Sequence, residues 1–89
     1  MDPAGRTALV TGGGTGIGRA VALELARAGA RVGLLGRRPD PLQRVATEIS
    51  SMEGEALSVP CDITDDRQVT SAVAMVRAAL GPIEILVNN

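Results

Sequence analysis

The sequence predicts an α/β fold in which a doubly wound parallel sheet is covered by helices on both faces. Short apolar runs alternate with segments whose apolar residues recur every three or four positions, as strands and amphipathic helices do. The connections between them are short and are marked by glycine or proline. The resulting order, βαβαβαβ, implies parallel strands joined by right-handed crossovers.

The first 36 residues predict two strands around one helix. The run TALVT, residues 7–11, is short, apolar and followed by glycine, which favours a buried strand. The run RVGLLG, residues 31–36, has the same character. Between them we expect a helix from about Ile17 to Ala28, with Gly29 as its C-terminal cap. Its apolar positions at helical spacing are Ile17, Val21, Leu25 and Ala28.

A second helix and a third strand are expected next. Pro39 and Pro41 mark the turn before this helix, and Gly54 is expected to close it. The run ALSVPC, residues 56–61, predicts the strand, because Pro60 is tolerated near a strand end. The apolar positions of the helix are Leu42, Val45, Ile49 and Met52.

The remaining residues predict a third helix and a fourth strand. Asp65 and Asp66 fall in the first helical turn, where negative charge suits the helix dipole, and Gly81 and Pro82 end the helix. The run IEILVNN, residues 83–89, is the fourth strand. The apolar positions of the third helix are Val69, Val73, Val76 and Leu80.

The fourth strand is apolar, yet no predicted element follows to cover it. An uncovered parallel strand exposes apolar side chains and unpaired backbone groups. We therefore expect residues 1–89 to be the N-terminal part of a single domain in a longer protein, with the sheet truncated after its fourth strand.

Composition narrows the classes of partner. The formal net charge is -1 and the basic residues, all arginine, are scattered, so we expect no nucleic-acid and no membrane partner. No apolar run approaches the roughly 18 residues that span a bilayer, and no signal-peptide pattern is present. With a single cysteine and no histidine, we expect no disulfide, no metal site and a cytoplasmic location. Cys61 itself is expected to be a small buried apolar residue.

Five glycines, at positions 12–14, 16 and 18, lie between the first strand and the first helix. A glycine costs about 0.5–1 kcal/mol against alanine inside regular structure, so such a cluster marks a backbone that bends through positive φ or is approached closely. A strand, a glycine turn and a helix N-terminus form an anion site, because the first-turn N–H groups are unpaired and carry about half a positive charge. We predict that a pyrophosphate binds here.

The spacing of these glycines selects the class of ligand. Residues 12–18 contain G-x-x-x-G-x-G, which differs from the more common G-x-G-x-x-G of dinucleotide folds. A P-loop is the alternative, since Gly13 and Gly18 have its separation. Arg19 and Ala20 stand where that loop needs Lys and then Ser or Thr, which disfavours the P-loop.

Three motifs resemble those of the short-chain dehydrogenase/reductase family. TGGGTGIG, residues 11–18, is similar to the family's cofactor motif T-G-x-x-x-G-I-G. CDIT, residues 61–64, resembles its D-[VI]-[ST] after the third strand, and ILVNN, residues 85–89, resembles the start of its N-N-A-G on the fourth. The order and spacing of the motifs also agree, over nearly the whole chain. The resemblance implies a Rossmann-type fold that binds NAD or NADP.

The same resemblance implies roles for individual residues. Asp62 would hydrogen-bond the adenine amino group, Ile63 would pack on the ring, and Asn89 would lie beside the adenosine ribose. Other readings stay open: Asp62 could simply start the next helix, Ile63 could belong to the core, and Asn88 and Asn89 could satisfy backbone groups between strands. The pyrophosphate and the adjoining ribose would be lined by Gly12, Gly14, Thr15, Gly16, Ile17 and Gly18.

The end of the second strand bears on the choice of coenzyme. In NAD-preferring folds an acidic side chain there takes the ribose hydroxyls, whereas an arginine accommodates a 2′-phosphate. Here the strand ends at Gly36, followed by Arg37 and Arg38, which favours NADP over NAD. The alternative is that both arginines are solvated strand-end charges. Thr15 also lacks the basic character that many NADP-preferring relatives show in the glycine motif.

The resemblance implies hydride transfer between a nicotinamide and a small carbonyl or alcohol substrate. In the family, Tyr acts as acid/base with Lys, Ser and Asn assisting, and the Ser and Tyr-x-x-x-Lys lie downstream of N-N-A-G. This chain contains no Tyr and no Lys, so we expect no catalytic residue in it and no dehydrogenase activity from it alone. One hypothesis is an active parent reductase, expected to be a homo-oligomer (tetramer or dimer). The other is a catalytically dead nucleotide-binding or interaction module of the same fold.

Overall fold

A computed structural model describes residues 2–89. In this range four strands alternate with three helices. The strands are β1 (Thr7–Thr11), β2 (Arg31–Gly36), β3 (Ala56–Pro60) and β4 (Ile83–Val87), and the helices are α1 (Gly16–Arg27), α2 (Pro39–Ser51) and α3 (Asp66–Leu80). The predicted βαβαβαβ order is confirmed.

The four strands form one parallel sheet in the order β3-β2-β1-β4. In a parallel sheet all carboxyl ends lie at the same edge, so the segments that follow the four strands converge there. These segments contain the glycine turn after β1, Arg37 and Arg38 after β2, Asp62 after β3, and Asn89 after β4. The topology therefore gathers the predicted site residues at one edge of the sheet.

Helices pack on both faces of the sheet, as the sequence predicts, and β4 is left largely uncovered, with Leu86 66% exposed. One core lies between the sheet and helices α1 and α2, and includes Val10, Leu34, Leu42 and Ile49. The other lies between the sheet and α3, and includes Leu9, Leu35, Val76 and Leu80. Among residues 2–89, no helix has the length and apolar character needed to cross a membrane.

The predicted buried face of α1 is wrong. Ile17 is 74% exposed, Val21 and Leu25 are only partly buried, and Ala28 is exposed beyond the helix end. At its first turn the helix lies so close to the glycine turn that a Cβ on Gly18 would lie 2.0 Å from Gly12 O, and the residues that follow on this face belong to the core against the sheet. The buried residues are Gly18, Ala22, Leu23 and Ala26.

The other two helices differ from prediction mainly at their edges. Helix α2 ends at Ser51, before Met52 and not at Gly54, because Glu53 takes the left-handed conformation, with φ 64°. Gly54 instead provides space, since a Cβ there would lie 2.7 Å from Ile49 Cγ2. In α3 the predicted Val76 and Leu80 are buried, Ala72 is buried in addition, and Val69 and Val73 are partly buried.

Candidate dinucleotide-binding site

The chain leaves β1 through a turn that is tied to the neighbouring strand. The N–H groups of Gly12 and Gly13 both donate to Leu35 O of β2, at 2.8 and 3.4 Å. Gly12 and Gly16 have φ values of 63° and 57°, a region that side chains with a Cβ rarely adopt. The two positive φ values turn the chain back so that α1 starts beside the end of β1.

Helix α1 rests directly on this turn. A Cβ on Gly18 would lie 2.0 Å from Gly12 O, far inside van der Waals contact. The contact joins main chain to main chain, so no rotation of a side chain could relieve it. Gly18 is therefore required by packing, which explains one of the five glycines without reference to a ligand.

The turn is also packed against β2 and α2. A Cβ on Gly13 would lie 2.7 Å from Leu34 Cδ2, and one on Gly14 would lie 2.9 Å from Pro41 Cβ and 3.1 Å from Leu42 N. Gly16 differs from these, because a Cβ there would meet nothing within 4 Å. The turn is thus held by its contacts with β2, α1 and α2, while its backbone at Gly16 has no neighbour on the side where a Cβ would be.

A cleft of about 120 Å³ lies between the glycine turn and the start of α2. Two arginines, Arg37 and Arg38, are among the residues that line it. Thr15, the N-cap of α1, makes no side-chain hydrogen bond to the first turn of the helix. The positive end of the helix dipole and the arginines make this cleft suitable for phosphate. The lining residues are Gly12, Gly14, Thr15, Gly36, Arg37, Arg38, Pro41 and Leu42.

Asp62 follows β3 and faces Arg37. Arg37 Nη2 donates to Asp62 Oδ1 at 3.0 Å, and the two side chains are 65% and 35% exposed. The same oxygen accepts hydrogen bonds from Thr64 N at 2.9 Å and Thr64 Oγ1 at 2.7 Å. The hydroxyl and amide of Thr64, and then Arg37, lower the pKa of Asp62 to about 2, so the carboxylate is ionised at neutral pH.

Asn89 lies against the glycine turn. Its backbone N–H donates to Thr11 Oγ1 at 3.0 Å, and its side-chain Nδ2 donates to Gly12 O at 3.3 Å. These bonds match the reading in which the asparagine satisfies backbone groups between strands, and they place it beside the turn. A contact with the adenosine ribose stays a prediction.

Two residues next to Asp62 have contrasting environments. Ile63 is 41% exposed and belongs to neither core, so its side chain is free to contact a ligand. Cys61 is buried in the core below α3, and burial and then the charge of Asp62 raise the pKa of its thiol. Within residues 2–89, no group of three or more His, Cys, Asp or Glu side chains is placed to hold a metal ion.

The structure brings the predicted residues together in two adjoining groups. Gly12, Gly14, Thr15, Arg37 and Arg38 share the cleft, with Gly16 and Ile17 at the start of α1 and Gly18 beneath. Asp62 and Ile63 lie at the neighbouring strand end and are linked to the cleft through Arg37.

Sequence reasoning missed four residues around this site. Pro41 and Leu42 line the cleft, and only the packing against Gly14 shows this. Thr64 and Gln68 both bind Asp62. The spacing of Gln68 from Asp65, D-x-x-Q, is a capping-box signal that would have drawn attention to Gln68.

Comparison with known proteins decides the family. Residues 6–89 match the family model described as short chain dehydrogenase. The chain belongs to the short-chain dehydrogenase family. This is a family of oxidoreductases that use NAD or NADP, in agreement with the glycine turn at the end of β1.

Individual short-chain dehydrogenases are similar to this chain over nearly all of it. Human dehydrogenase/reductase SDR family member 1 is 42% identical over 86 residues, which are 96% of this chain and 28% of the human protein. The crystal structure of a short-chain type dehydrogenase/reductase from Mycobacterium marinum has 45% identity and a TM-score of 0.90, covering 96% of this chain and 34% of that one.

A third relative carries bound ligands. L-sorbose reductase from Gluconobacter frateurii, complexed with NADPH and L-sorbose, has 35% identity and a TM-score of 0.91, covering 100% of this chain and 35% of that one. The chain thus spans about a third or less of the length of the short-chain dehydrogenases that it matches here.

Proposed function

We propose that residues 1–89 form the N-terminal part of the coenzyme-binding domain of an NADP-dependent oxidoreductase. The parent protein would transfer a hydride between the nicotinamide and a small carbonyl or alcohol substrate. One observation carries the proposal: a glycine turn whose backbone is open at Gly16 lies beside a cleft that is also lined by Arg37 and Arg38.

The glycine turn would hold the diphosphate of the coenzyme. Its backbone is open at Gly16, where a Cβ would meet nothing within 4 Å, and the first-turn N–H groups of α1 lie beside it. Thr15 leaves those groups without a side-chain cap. A diphosphate there would replace the cap and would interact favourably with the helix dipole.

The end of β2 supports NADP over NAD. Gly36 presents no carboxylate that would repel a phosphate, and Arg37 and Arg38 line the cleft beside it. Within residues 2–89, Arg38 makes no side-chain hydrogen bond, and only one nitrogen of Arg37 is used, by Asp62. Both guanidinium groups therefore have donors left for a 2′-phosphate. The related L-sorbose reductase was crystallised with NADPH.

Asp62 would bind the base. Its Oδ1 already accepts three hydrogen bonds, whereas its Oδ2 has no partner within residues 2–89. An ionised carboxylate with a vacant oxygen is suited to accept a hydrogen bond from the exocyclic amino group of adenine. Ile63, with 41% of its surface exposed, would cover one face of the ring.

Hydride transfer would need residues that these 89 positions do not supply, because the chain has no Tyr and no Lys. We propose that a Ser and a Tyr-x-x-x-Lys follow in the parent polypeptide and complete the active site. If the polypeptide that carries this chain lacks them, it is a nucleotide-binding module without catalysis.

The test is a calorimetric titration of the full-length polypeptide that carries these residues with NADPH and with NADH. We expect NADPH to bind at least about tenfold more tightly, the difference that about 1.4 kcal/mol of added phosphate contacts makes. Equal binding of the two coenzymes would contradict the NADP assignment, and binding of neither would contradict the proposed function as a whole.

A further inference from the structure

Gln68, in the first turn of α3, is bound to the residue proposed to recognise the base. Asp62 N donates to Gln68 Oε1 at 2.7 Å, and Gln68 Nε2 donates to Asp65 Oδ2 at 3.3 Å. Both ends of the Gln68 amide are thus engaged, which fixes its orientation. The side chain connects α3 with the point where the chain leaves β3.

This contact is not an ordinary capping box. In that motif the residue at the third helical position accepts a hydrogen bond from the N–H of the N-cap residue. Here the N-cap is Asp65, and its N–H already donates to Asp62 O at 3.0 Å. The amide of Gln68 instead reaches three residues further back, to Asp62 N.

The position of β3 explains why Asp62 N needs this partner. Successive N–H groups of an extended chain point to opposite sides. Cys61 N donates towards β2, to Gly36 O at 2.7 Å, so Asp62 N points away from β2. Because β3 is at the end of the sheet formed by residues 2–89, no strand of these residues lies on that side, and Gln68 supplies the acceptor.

Asp62 is consequently held at several atoms at once. Its N–H is held by Gln68, its carbonyl oxygen by Asp65 N, and its Oδ1 by Thr64 and Arg37. Only Oδ2 is left without a partner among residues 2–89. A carboxylate held in this way presents one acceptor oxygen in a fixed position.

We propose that Gln68 is a positioning residue for base recognition, fixing Asp62 so that its vacant oxygen meets the 6-amino group of adenine. The inference rests on the proposed function, in which Asp62 binds the base. It predicts a specific dependence: loss of the Gln68 contact should weaken the preference for a 6-amino purine over a 6-oxo purine. A 6-oxo group would place an acceptor against the carboxylate, so a well-positioned Asp62 rejects it.

The experiment compares NADPH with its hypoxanthine analogue, in which the 6-amino group is replaced by oxygen. Dissociation constants for both are measured on the full-length polypeptide as wild type and as Gln68→Met, which keeps the length of the side chain and removes its hydrogen bonds. The preference for the 6-amino purine is expressed as the dissociation constant of the hypoxanthine analogue divided by that of NADPH. We expect Gln68→Met to reduce this ratio by about fivefold, the effect of one displaced hydrogen bond.

Gln43→Met is the matched control, because Gln43 also makes two side-chain hydrogen bonds, to Thr47 and Ser58, on α2 and β3. It should leave the ratio unchanged. In an Asp62→Asn background, Gln68→Met should have no further effect on the ratio, since Gln68 acts through the carboxylate. If Gln68→Met does not fold, Gln68→Glu and Gln68→Ser are compared instead. Gln68→Glu keeps an acceptor for Asp62 N, so we expect it to keep most of the ratio, whereas Gln68→Ser is too short to reach Asp62 N and should lose it.

The outcomes separate this inference from the proposed function. If the wild type binds neither nucleotide, the proposed function fails. A wild type that binds both equally shows that Asp62 does not recognise the amino group, which overturns the role of Gln68 but not the diphosphate site. A Gln68→Met protein that loses affinity for both nucleotides by the same factor, or for neither, shows a purely structural side chain.

Discussion

The guanidinium of Arg37 lies 3.0 Å from the carboxylate of Asp62, so the ends of β2 and β3 are joined by an ion pair. The pair has a single contact and both side chains are partly exposed, so water and salt weaken it. An incoming 2′-phosphate, which carries up to two negative charges, would compete with Asp62 for Arg37. The ion pair therefore holds Arg37 near the cleft and is weak enough for a phosphate to replace Asp62 as its partner.

Arg37→Ala should discriminate between the two coenzymes. We expect the affinity for NADPH to fall by more than about tenfold, because a charge-assisted hydrogen bond to the phosphate is lost, and the affinity for NADH to change by less than about twofold. Isothermal titration of both coenzymes measures this. Arg77→Ala, at the far end of α3, is the control and should change neither affinity. Equal losses for the two coenzymes would show that Arg37 does not bind the 2′-phosphate and is a solvated charge at the end of β2.

The pKa of Asp62 should depend more on Thr64 than on Arg37. The hydrogen bonds of Thr64 are the largest causes of its lowering from 3.8 to about 2. Thr64→Val removes the hydroxyl and should raise this pKa by more than Arg37→Ala does, as followed by carboxyl ¹³C chemical shifts during an acid titration. A larger rise in Arg37→Ala would contradict the order of causes.

The same lowered pKa makes a prediction about stability. Because the folded pKa lies below the unfolded one, Asp62 contributes stability that is present above pH 3.8 and is lost as the pH falls towards 2. The difference in free energy of unfolding between wild type and Asp62→Asn, from urea unfolding at several pH values, should therefore be constant near neutrality and shrink over that interval. A difference that grows on acidification would have the wrong sign.

Gly18→Ala and Gly16→Ala should differ greatly in stability. A Cβ at position 18 would lie 2.0 Å from Gly12 O, so we expect a loss above the about 1–3 kcal/mol usual for overpacking, or failure to fold. At position 16 space is open and only φ 57° is unfavourable, which costs about 1–2 kcal/mol. Urea unfolding measures both, and equal losses would show that the close approach of α1 to the turn is absent.

Arg19 should not contribute to coenzyme binding. Its Nε and Nη2 atoms donate to the two carboxylate oxygens of Glu48 at 3.1 and 2.5 Å, which joins α1 to α2. Both side chains are exposed, so a double-mutant cycle should give about 0.2–1 kcal/mol. Arg19→Gln should leave the affinity for NADPH within about twofold of wild type. A much larger loss would mean that Arg19 leaves Glu48 to bind phosphate.

The sequence was most informative where one strong signal decides a local structure. The apolar runs at residues 7–11 and 31–36 coincide with β1 and β2, because short apolar runs bounded by turn residues favour buried strands. The predicted buried face of α1 was wrong because the prediction followed the spacing of large apolar residues such as Ile17. The face that is buried begins at Gly18, where there is no space for a side chain.

The candidate site shows the same division. The motifs located the glycine turn and Asp62 in sequence, and the sheet order brings them to one edge. The pairing of Arg37 with Asp62 joins residues 25 positions apart, and no local pattern reports such a contact. Gln68 fits a local capping signal, but its actual partner depends on β3 being at the end of the sheet.

The proposed diphosphate site can be tested directly by locating the residues that a bound diphosphate contacts. Backbone ¹⁵N–¹H spectra of the polypeptide are recorded with ADP and, as a comparison, with adenosine. We predict that ADP shifts the amide signals of residues 14–18 and that adenosine leaves them nearly unchanged while shifting those of Asp62 and Ile63. ADP that binds without shifting residues 14–18 would contradict the central claim that the glycine turn holds the diphosphate.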